Sequence, residues 1–403
     1  MTLIDALLDR ILGRPTLDTV TIMACAALAE HGATQVRVEP DAQQLRFALD
    51  GCHASVSLRG LLAHVSAWPR RQRRQQVWRF LSMGLQTELP KGFQEAQDRL
   101  RPVIRTEAEM ALNAMQLRTM QADGPLQLPV HAPFAPGLRV VLALDYPDSM
   151  AHVTDHMLAD WGITFETALN CAMDNLRQMP GDGGWQRMGP GVWMGAWGDS
   201  YEPSRLLMPD MIYRLGVSRP VALAPFRDCL MVTDAANQAG MQVMTQFTLD
   251  SLDGDVRWLS FELLALVEGH WTLHDEQPPG MRIAALRARS DDHQSQKEWL
   301  KSALAAQGEE VFIASFMAAT TPEQTGVSYA AWTLDCDSLL PCADWIAFVD
   351  TQTQHVVQLP WSEVMTHFGH LLEKTTHVPT LYRARTSPSM EAVQEVARKL
   401  ADR

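Results

Sequence analysis

No stretch of this 403-residue chain approaches the ~20 consecutive apolar residues that a membrane-crossing helix requires. Positive charge is also scarce: 34 Lys and Arg stand against 47 Asp and Glu, a formal net charge of −13. Nucleic acids and anionic membranes both call for a cationic face, so neither is an expected partner. The six cysteines, Cys25, Cys52, Cys171, Cys229, Cys336 and Cys342, form no CxxC pair and follow no framework spacing. Most sit in apolar surroundings, which reads as reduced thiols in a cytoplasmic protein. The opening MTLIDALLDRILGR alternates acidic and basic residues and has no long apolar run, so a signal peptide is not expected.

Signatures of chemistry are missing as well. There is no HExxH and no GxSxG elbow. The loop PGDGGWQRMGPG, Pro180 to Gly191, is rich in glycine but precedes a strand. It lacks the Lys-Ser/Thr of a phosphate-binding loop and the spacing of a dinucleotide fingerprint. The sequence therefore assigns no catalytic residue, no cofactor and no metal.

An architecture is present. Hydrophobic residues make up 46% and charged residues 20%, the balance of an ordinary globular protein with chain enough for two or three domains. Near the start the pattern predicts helices at Leu3–Leu12, Leu17–His31 and Leu61–Trp68. It also predicts strands at Val36–Val38, Leu45–Leu49 and Ala54–Leu58, with Asp50-Gly51 as a hairpin signal. In the middle, Val140–Leu144 runs into the turn residues Tyr146-Pro147-Asp148-Ser149 and returns over Met150–Thr154. Asp155 caps one expected helix, and Thr164, with Thr167 three residues on, caps the next. Val192–Trp197 is a strand. Pro220–Ala224 and Cys229–Thr233 form a hairpin, with Asp234 at the head of a further helix. Pro278-Pro279-Gly280 is a break, followed by a polar stretch over Ser290–Lys297 and a helix carrying Trp299, Leu300 and Leu304. Val311–Ala318, Ser328–Leu334 and Thr380–Arg383 read as strands. Asp335–Asp344 reads as a loop, and Met390–Leu400 as the closing helix. The fold class is α+β, antiparallel β-hairpins flanked by helices. Its expected divisions are residues 1–98, 99–280 and 281–403.

Three segments, from Leu45, Val140 and Ile346, share one order: apolar strand, Asp-centred turn, strand, helix. Two readings stay open. One is duplication of a ββα unit; the other is that hairpin-then-helix is a common way to cover one sheet face.

The central region also carries PVIR at Pro102–Arg105, LALD at Leu142–Asp145, WGI at Trp161–Ile163 and NL at Asn175-Leu176. D-x-Y-x-x-S-R-x-L runs from Asp199 to Leu207, and AxxPxxDxLxxxD from Ala222 to Asp234. In order and spacing these resemble the YtpQ family of bacterial proteins, over residues 100 to 280 or so. The resemblance implies a shared α+β fold. It implies no activity, because the family has none assigned.

Three polar groupings are candidates for function. Tyr201, Ser204 and Arg205 stand at a helix start, where free amides and an arginine suit an anion. Asp228 and Asp234 join them as ligand or partner residues. The alternative is that Arg205 pairs with Asp199, Asp228 or Asp234 in a structural corner. Arg70, Arg71, Arg73 and Arg74, with Arg79, make the one basic run in an acidic chain, either a docking patch or a solvated helix face. Glu363, His367 and His370 recur at i, i+4 and i+7, a spacing that can ligate a metal, although Val364, Phe368, Leu371 and Leu372 make this simply the wet side of a helix. Twelve Trp and 21 Met are generous for core or for an adaptable binding face. Together these features point to a non-catalytic cytoplasmic factor that binds another protein, of adaptor, immunity or chaperone type. The competing reading is an enzyme or small-anion binder built on Tyr201, Ser204 and Arg205.

Overall fold

A computed structural model describes residues 15–402, apart from 40–43, 50–51, 67, 83–88, 121–126, 147–148, 180–182, 253–257 and 322–324. The helix expected at Leu3–Leu12, the Asp50-Gly51 turn and the Pro147-Asp148 turn lie outside the described residues. The chain is α+β. It divides into two compact units, Met1–Arg99 with Leu144–Ala151, and Leu100–Ala143 with His152–Arg403.

In the first unit, α1 (Leu17–Glu30) begins at Thr16, whose Oγ accepts the Thr19 amide. An antiparallel sheet of β1 (Thr34–Glu39), β2 (Gln44–Leu49) and β3 (Cys52–Ser57) follows. Then come α2 (Leu58–Ser66) and α3 (Arg70–Ser82). Val20, Ala24, Ala27 and Leu28 are one face of α1 at helical spacing. They pack with Leu45 and Phe47 of β2, Leu58, Leu61 and Val65 of α2, and Val77 and Leu81 of α3. Each fully buried leucine or phenylalanine there contributes roughly 1.5–3 kcal/mol.

The second unit opens with β4 (Leu100–Thr106) and α4 (Glu107–Met120). The hairpin β5 (His131–Ala135) and β6 (Leu138–Tyr146) comes next; the end of β6 from Leu144, and β7 (Ser149–His152) as far as Ala151, which pairs with β6, are counted in the first unit. Thr154, not Asp155, caps α5 (Asp155–Trp161): its hydroxyl takes the Met157 amide, and Asp155 becomes the first helical residue. Thr164 caps α6 (Phe165–Gln178) by accepting the Thr167 amide, as its sequence context predicts. The glycine-rich segment expected to be loop includes a strand, β8 (Trp185–Gly189), because its register pairs it with β9 (Val192–Gly195). After β9 come a 3-10 turn at Pro203–Leu207, α7 (Pro209–Tyr213), and the hairpin β10 (Pro220–Leu223) and β11 (Met231–Asp234). The next helix, α8 (Gln238–Asp250), is capped by Asn237, not Asp234. With β12 (Leu264–Val267) and β13 (His270–Leu273) these strands form one sheet, in the order β13-β12-β10-β11-β9-β8.

Strand periodicity explains why that sheet is central. Val221 and Leu223 of β10 face one core with Met231, Met241 and Met244. Ala222 and Ala224 face the other, with Leu138, Val140, Leu206 and Trp271. A sheet covered on both faces reads as a continuous apolar run, as PVALA does.

Pro279 opens α9 (Pro279–Gln307), a helix of 29 residues that passes straight through the polar stretch at Ser290–Lys297. A proline in the first helical turn loses no needed hydrogen bond, so Pro278-Pro279-Gly280 starts a helix instead of breaking the chain. Beyond α9, the strand expected at Val311–Ala318 divides into β14 (Phe312–Ile313) and β15 (Met317–Thr320). Next are β16 (Gly326–Thr333) and β17 (Ser338–Pro341), the latter inside the expected Asp335–Asp344 loop. The hairpin β18 (Trp345–Val349) and β19 (Val356–Pro360) leads into α10 (Trp361–Phe368). The chain closes with β20 (Glu373–Lys374), β21 (Leu381–Ala384) and α11 (Met390–Ala401). These strands make two sheets, β15-β16-β18-β19 and β14-β17-β21-β20, with parallel pairs at β16–β18 and β14–β17. Hairpin followed by helix occurs at all three places where the sequence shares that order. Among the described residues no helix is long and apolar enough to cross a membrane.

Candidate functional site

The sequence-derived candidates do not converge. After β9 the chain turns through Gly198 and Ser200, both at positive φ, which brings Arg205 back over the turn. Its Nη1 and Nη2 donate to the two carboxylate oxygens of Asp199 at 3.0 and 2.6 Å. Its guanidinium carbon lies 3.8 Å from the centre of the Trp197 ring. Arg205 is 2% exposed, so this bidentate pair is enclosed. The Tyr201 amide also donates to Asp199, and the Tyr201 ring packs with Val103, Val141 and Met208. Ser204 is buried, its amide donating to the Tyr201 carbonyl. Glu202 is buried too, with one oxygen accepting the Gly198 amide and the other unpartnered.

Asp228 and Asp234 lie at the two ends of the β11 arm, and the partner of Arg205 is Asp199 and neither of these. Asp228 is exposed at the hairpin tip. Asp234 accepts the amides of Ser218, Arg219 and Ala236 and the Ser218 hydroxyl. Those backbone amides, led by Ala236 and Arg219, hold its carboxyl down at about 2. It ties a turn together.

Of the basic run, Arg70, Arg71 and Arg74 are exposed on α3, and Arg74 pairs with Glu30. Arg73 departs from the expected patch. It is 5% exposed, and its Nε donates to the Trp68 carbonyl at 3.1 Å. Val77 and Leu81, four and eight residues on, are buried on the same side; helical spacing places Arg70 there too, but it is exposed in the first turn of α3.

His367 is 3.4 Å from Glu363 on α10. His370 falls in a separate 3-10 turn, Gly369–Leu371, so the three do not share one helical face. Among the described residues no group of three or more His, Cys, Asp or Glu is placed to hold a metal. His152 ends β7 and His156 lies in the first turn of α5, so the two do not share one helix.

The second unit contains a cleft of about 800 Å³ that no sequence motif marks. Two helices supply its walls. Glu109, Leu112, Asn113 and Gln116 of α4, and Ala285, Ala288, Arg289 and Asp292 of α9, all line it. Each set has i, i+3, i+4, i+7 spacing, one stripe of a helix. A third wall is Trp258–Glu262, which hydrogen bonds hold against the β10–β11 turn: Leu259 donates to the Pro225 carbonyl and Ser260 to that of Ala224. Trp258 is 38% exposed, and its ring is 5.9 Å from that of Phe261.

Four carboxylates and two guanidiniums line the cleft. Glu107 is taken up by Arg139. Glu109 pairs with Arg227 at 2.7 Å and lies 3.7 Å from Arg105. Arg289 donates to the Cys342 carbonyl, and its guanidinium sits 5.1 Å from the Phe316 ring centre. Glu262 and Asp292 receive no hydrogen bond or ion pair from the described residues; Arg289 acts on both only through its field. Burial raises the Glu262 carboxyl. Burial first, then the charges of Asp291 and Glu109, pushes that of Asp292 up to about 6. Close by, burial and then Arg105 and Arg227 press the His152 imidazole down to about 4, so it is neutral at pH 7.

The two stripes are present in the sequence as periodicity. Their meeting is not, because α4 and α9 are separated by most of the unit and the polar middle of α9 reads as a break. Comparison with protein families, curated proteins and solved structures finds no match for this chain.

Proposed function

We propose that this chain is a non-catalytic cytoplasmic factor that binds another protein, with the cleft between α4 and α9 as its seat. The observation that carries this reading is a cleft that presents a partly exposed Trp258 and, elsewhere on its lining, two carboxylates, Glu262 and Asp292, that accept no hydrogen bond from the described residues. Ligand clefts of roughly 300–1,000 Å³ combine apolar walls with a few placed polar groups. Five described cysteines are free thiols, which suits a reducing compartment. The formal charge of −13 favours a basic protein over nucleic acid or an anionic membrane.

The anion-binding alternative at Arg205 has less support, since that guanidinium is enclosed and already shared with Asp199. The YtpQ-like motifs from Asp199 to Leu207 and from Ala222 to Asp234 fall on this corner and on the β10–β11 hairpin. The resemblance thus bears on a shared core and not on a reaction.

Affinity capture from the native host tests the proposal. The bait is the full chain as wild type, as Glu262→Gln/Asp292→Asn, and as Arg70→Glu/Arg71→Glu. The expected result is a stoichiometric protein, confirmed by reconstitution from purified components, that the cleft variant loses and the α3 variant keeps. Equal capture by all three would remove the cleft as the seat.

A further inference from the structure

The sheet β15-β16-β18-β19 is covered on one face by α9, α10 and α11. Leu286, Val364, Phe368 and Val393 of these helices join Trp332 and Phe348 of the sheet in a single core. The register defines the opposite face. Met317 pairs with Tyr329, and Tyr329 with Trp345, so the three form one row across β15, β16 and β18. Val349 and Val356 pair near the β18–β19 turn and point the same way. Along β16 burial alternates strictly, with every second residue buried and those between half-buried. The chemistry does not alternate. A sheet with one wet face carries polar residues there, yet here only Thr333, Gln358 and the Tyr329 hydroxyl are polar, and no side chain on this face is charged. Met317 is 51% exposed, Val356 55% and Trp345 37%. No residue of this face belongs to a core cluster among the described residues.

We propose that this face is the contact between two copies of the chain, related by a two-fold axis. Charge, shape and area select a second copy as the occupant. With a formal charge of −13, two copies repel across much of their surface, whereas this face lets them meet without apposing like charges. A basic partner finds no carboxylate on it, and a nucleic acid or anionic membrane finds no cation. A two-fold contact sets one patch against itself, and sheet faces stack about 10 Å apart with their side chains interdigitated. Four strands ~4.8 Å apart, over a length of about 20 Å, give a footprint of about 400 Å². Two copies together bury roughly 800 Å² of it, against roughly 1,200–2,000 Å² for specific stable interfaces. The sheet face is thus the apolar core of the contact, and the surrounding loops add its polar rim. A contact of this size is expected to be reversible. It is independent of the cleft, since none of the sheet-face residues lines it.

Sedimentation velocity on the purified full chain, across two decades of concentration, tests this. The expected result is a reversible rise from the 45.0 kDa chain toward twice that mass. Met317→Glu/Val356→Glu puts charges at exposed positions on the two outer strands. It should raise the dimer dissociation constant ~10-fold or more, because like charges then face each other across the axis. Val267→Glu/Leu273→Glu adds the same charge at exposed apolar positions of the other large sheet and should leave association unchanged. Met317→Lys/Val356→Lys should also dissociate, yet an equimolar mixture of the Glu and Lys proteins should recover a dimer. Circular dichroism checks that each variant is folded. A wild type that stays monomeric at every concentration overturns the proposal. So does a dimer that Met317→Glu/Val356→Glu leaves intact, or one that both Glu pairs weaken equally. A Glu–Lys mixture that stays monomeric overturns it as well, since the loss then did not come from apposed faces. If the wild type is monomeric and a protein captured from the host is lost by Met317→Glu/Val356→Glu, the face belongs to another protein and not to a second copy.

Discussion

Arg205 lies with its guanidinium carbon 3.8 Å above the Trp197 ring while both its terminal nitrogens fork onto Asp199. An arginine used this way locks the turn from β9 into Pro203–Leu207. Removing one member leaves the other as an uncompensated buried charge. Arg205→Ala is therefore expected to destabilise the second unit by roughly 3–5 kcal/mol. Arg205→Lys should recover only part of this, because an ammonium cannot make the two parallel bonds or lie flat on the indole. Urea unfolding followed by circular dichroism measures both. An Arg205→Ala protein as stable as wild type would show that the corner is not structural and would return Arg205 to the candidate ligand residues.

That corner shows where sequence reasoning succeeds and where it stops. Local signals are legible: the Thr164 cap, the β10–β11 hairpin and the three hairpin-then-helix segments all depend on residues within a few positions of one another. The sequence narrows the partner of Arg205 to Asp199, Asp228 or Asp234, and only geometry picks the first. Elements defined by distant pairing are not legible. β8 and β17 are short and exist because β9 and β21 pair with them. Ser290–Lys297 reads as linker because its polar residues hide the continuity of α9. The cleft needs α4, α9 and the Trp258 segment together, and no window of sequence contains them.

The basic run on α3 is divided by burial. Arg73 packs inward and donates to Trp68, whereas Arg70 and Arg71 face solvent. Arg73→Ala is expected to cost about 1–3 kcal/mol, the range for removing a buried hydrogen bond together with the packing of the side-chain stem. Arg70→Ala and Arg71→Ala should stay within about 0.5 kcal/mol of wild type. Thermal or denaturant unfolding of the three variants checks this. Equal, negligible effects would mean that Arg73 is not anchored.

Asp292 gives the cleft a pH signature. Its carboxyl ionises near 3.8 when unfolded and near 6 in the folded protein, so on acidification the folded form takes the proton first. The stabilisation from this group is complete below the unfolded value and is lost as pH rises through about 6. At pH 7 the buried charge is a burden, and Asp292→Asn should stabilise the free protein by roughly 1–2 kcal/mol, allowing for its partial exposure. Asp291 and Arg289 on α9 and Glu109 on α4 are the charges facing it. The same substitution should weaken capture of the protein partner proposed for the cleft, and wild-type capture should decline as pH falls below about 6. A gain in stability coupled to a loss in binding is what a functional carboxylate predicts. A loss of both would mark Asp292 as a structural residue.

His152 and His293 work in the opposite sense. Burial is the first cause for each, joined by Arg105 and Arg227 at His152 and by Arg289 at His293, and both imidazoles are held near 4 against 6.5 when unfolded. His293 is further fixed by Gln296 at 3.3 Å and by stacking on Phe316 at 5.0 Å. Here the unfolded chain takes the proton first. Stability is fully present above 6.5 and is lost as pH falls toward 4, by roughly 1–3 kcal/mol for each ring. Asp292 offsets part of this between 6 and 3.8, so the wild-type curve should fall less steeply than two histidines alone would give. His152→Gln/His293→Gln removes both titrations. Its baseline stability drops because the two rings no longer pack, but its slope between about pH 6.5 and 4.5 should flatten or change sign, leaving Asp292 as the stabilising proton acceptor. Denaturant midpoints across that range read the slope independently of the baseline. A variant whose slope matches wild type would show that acid sensitivity arises elsewhere in the chain.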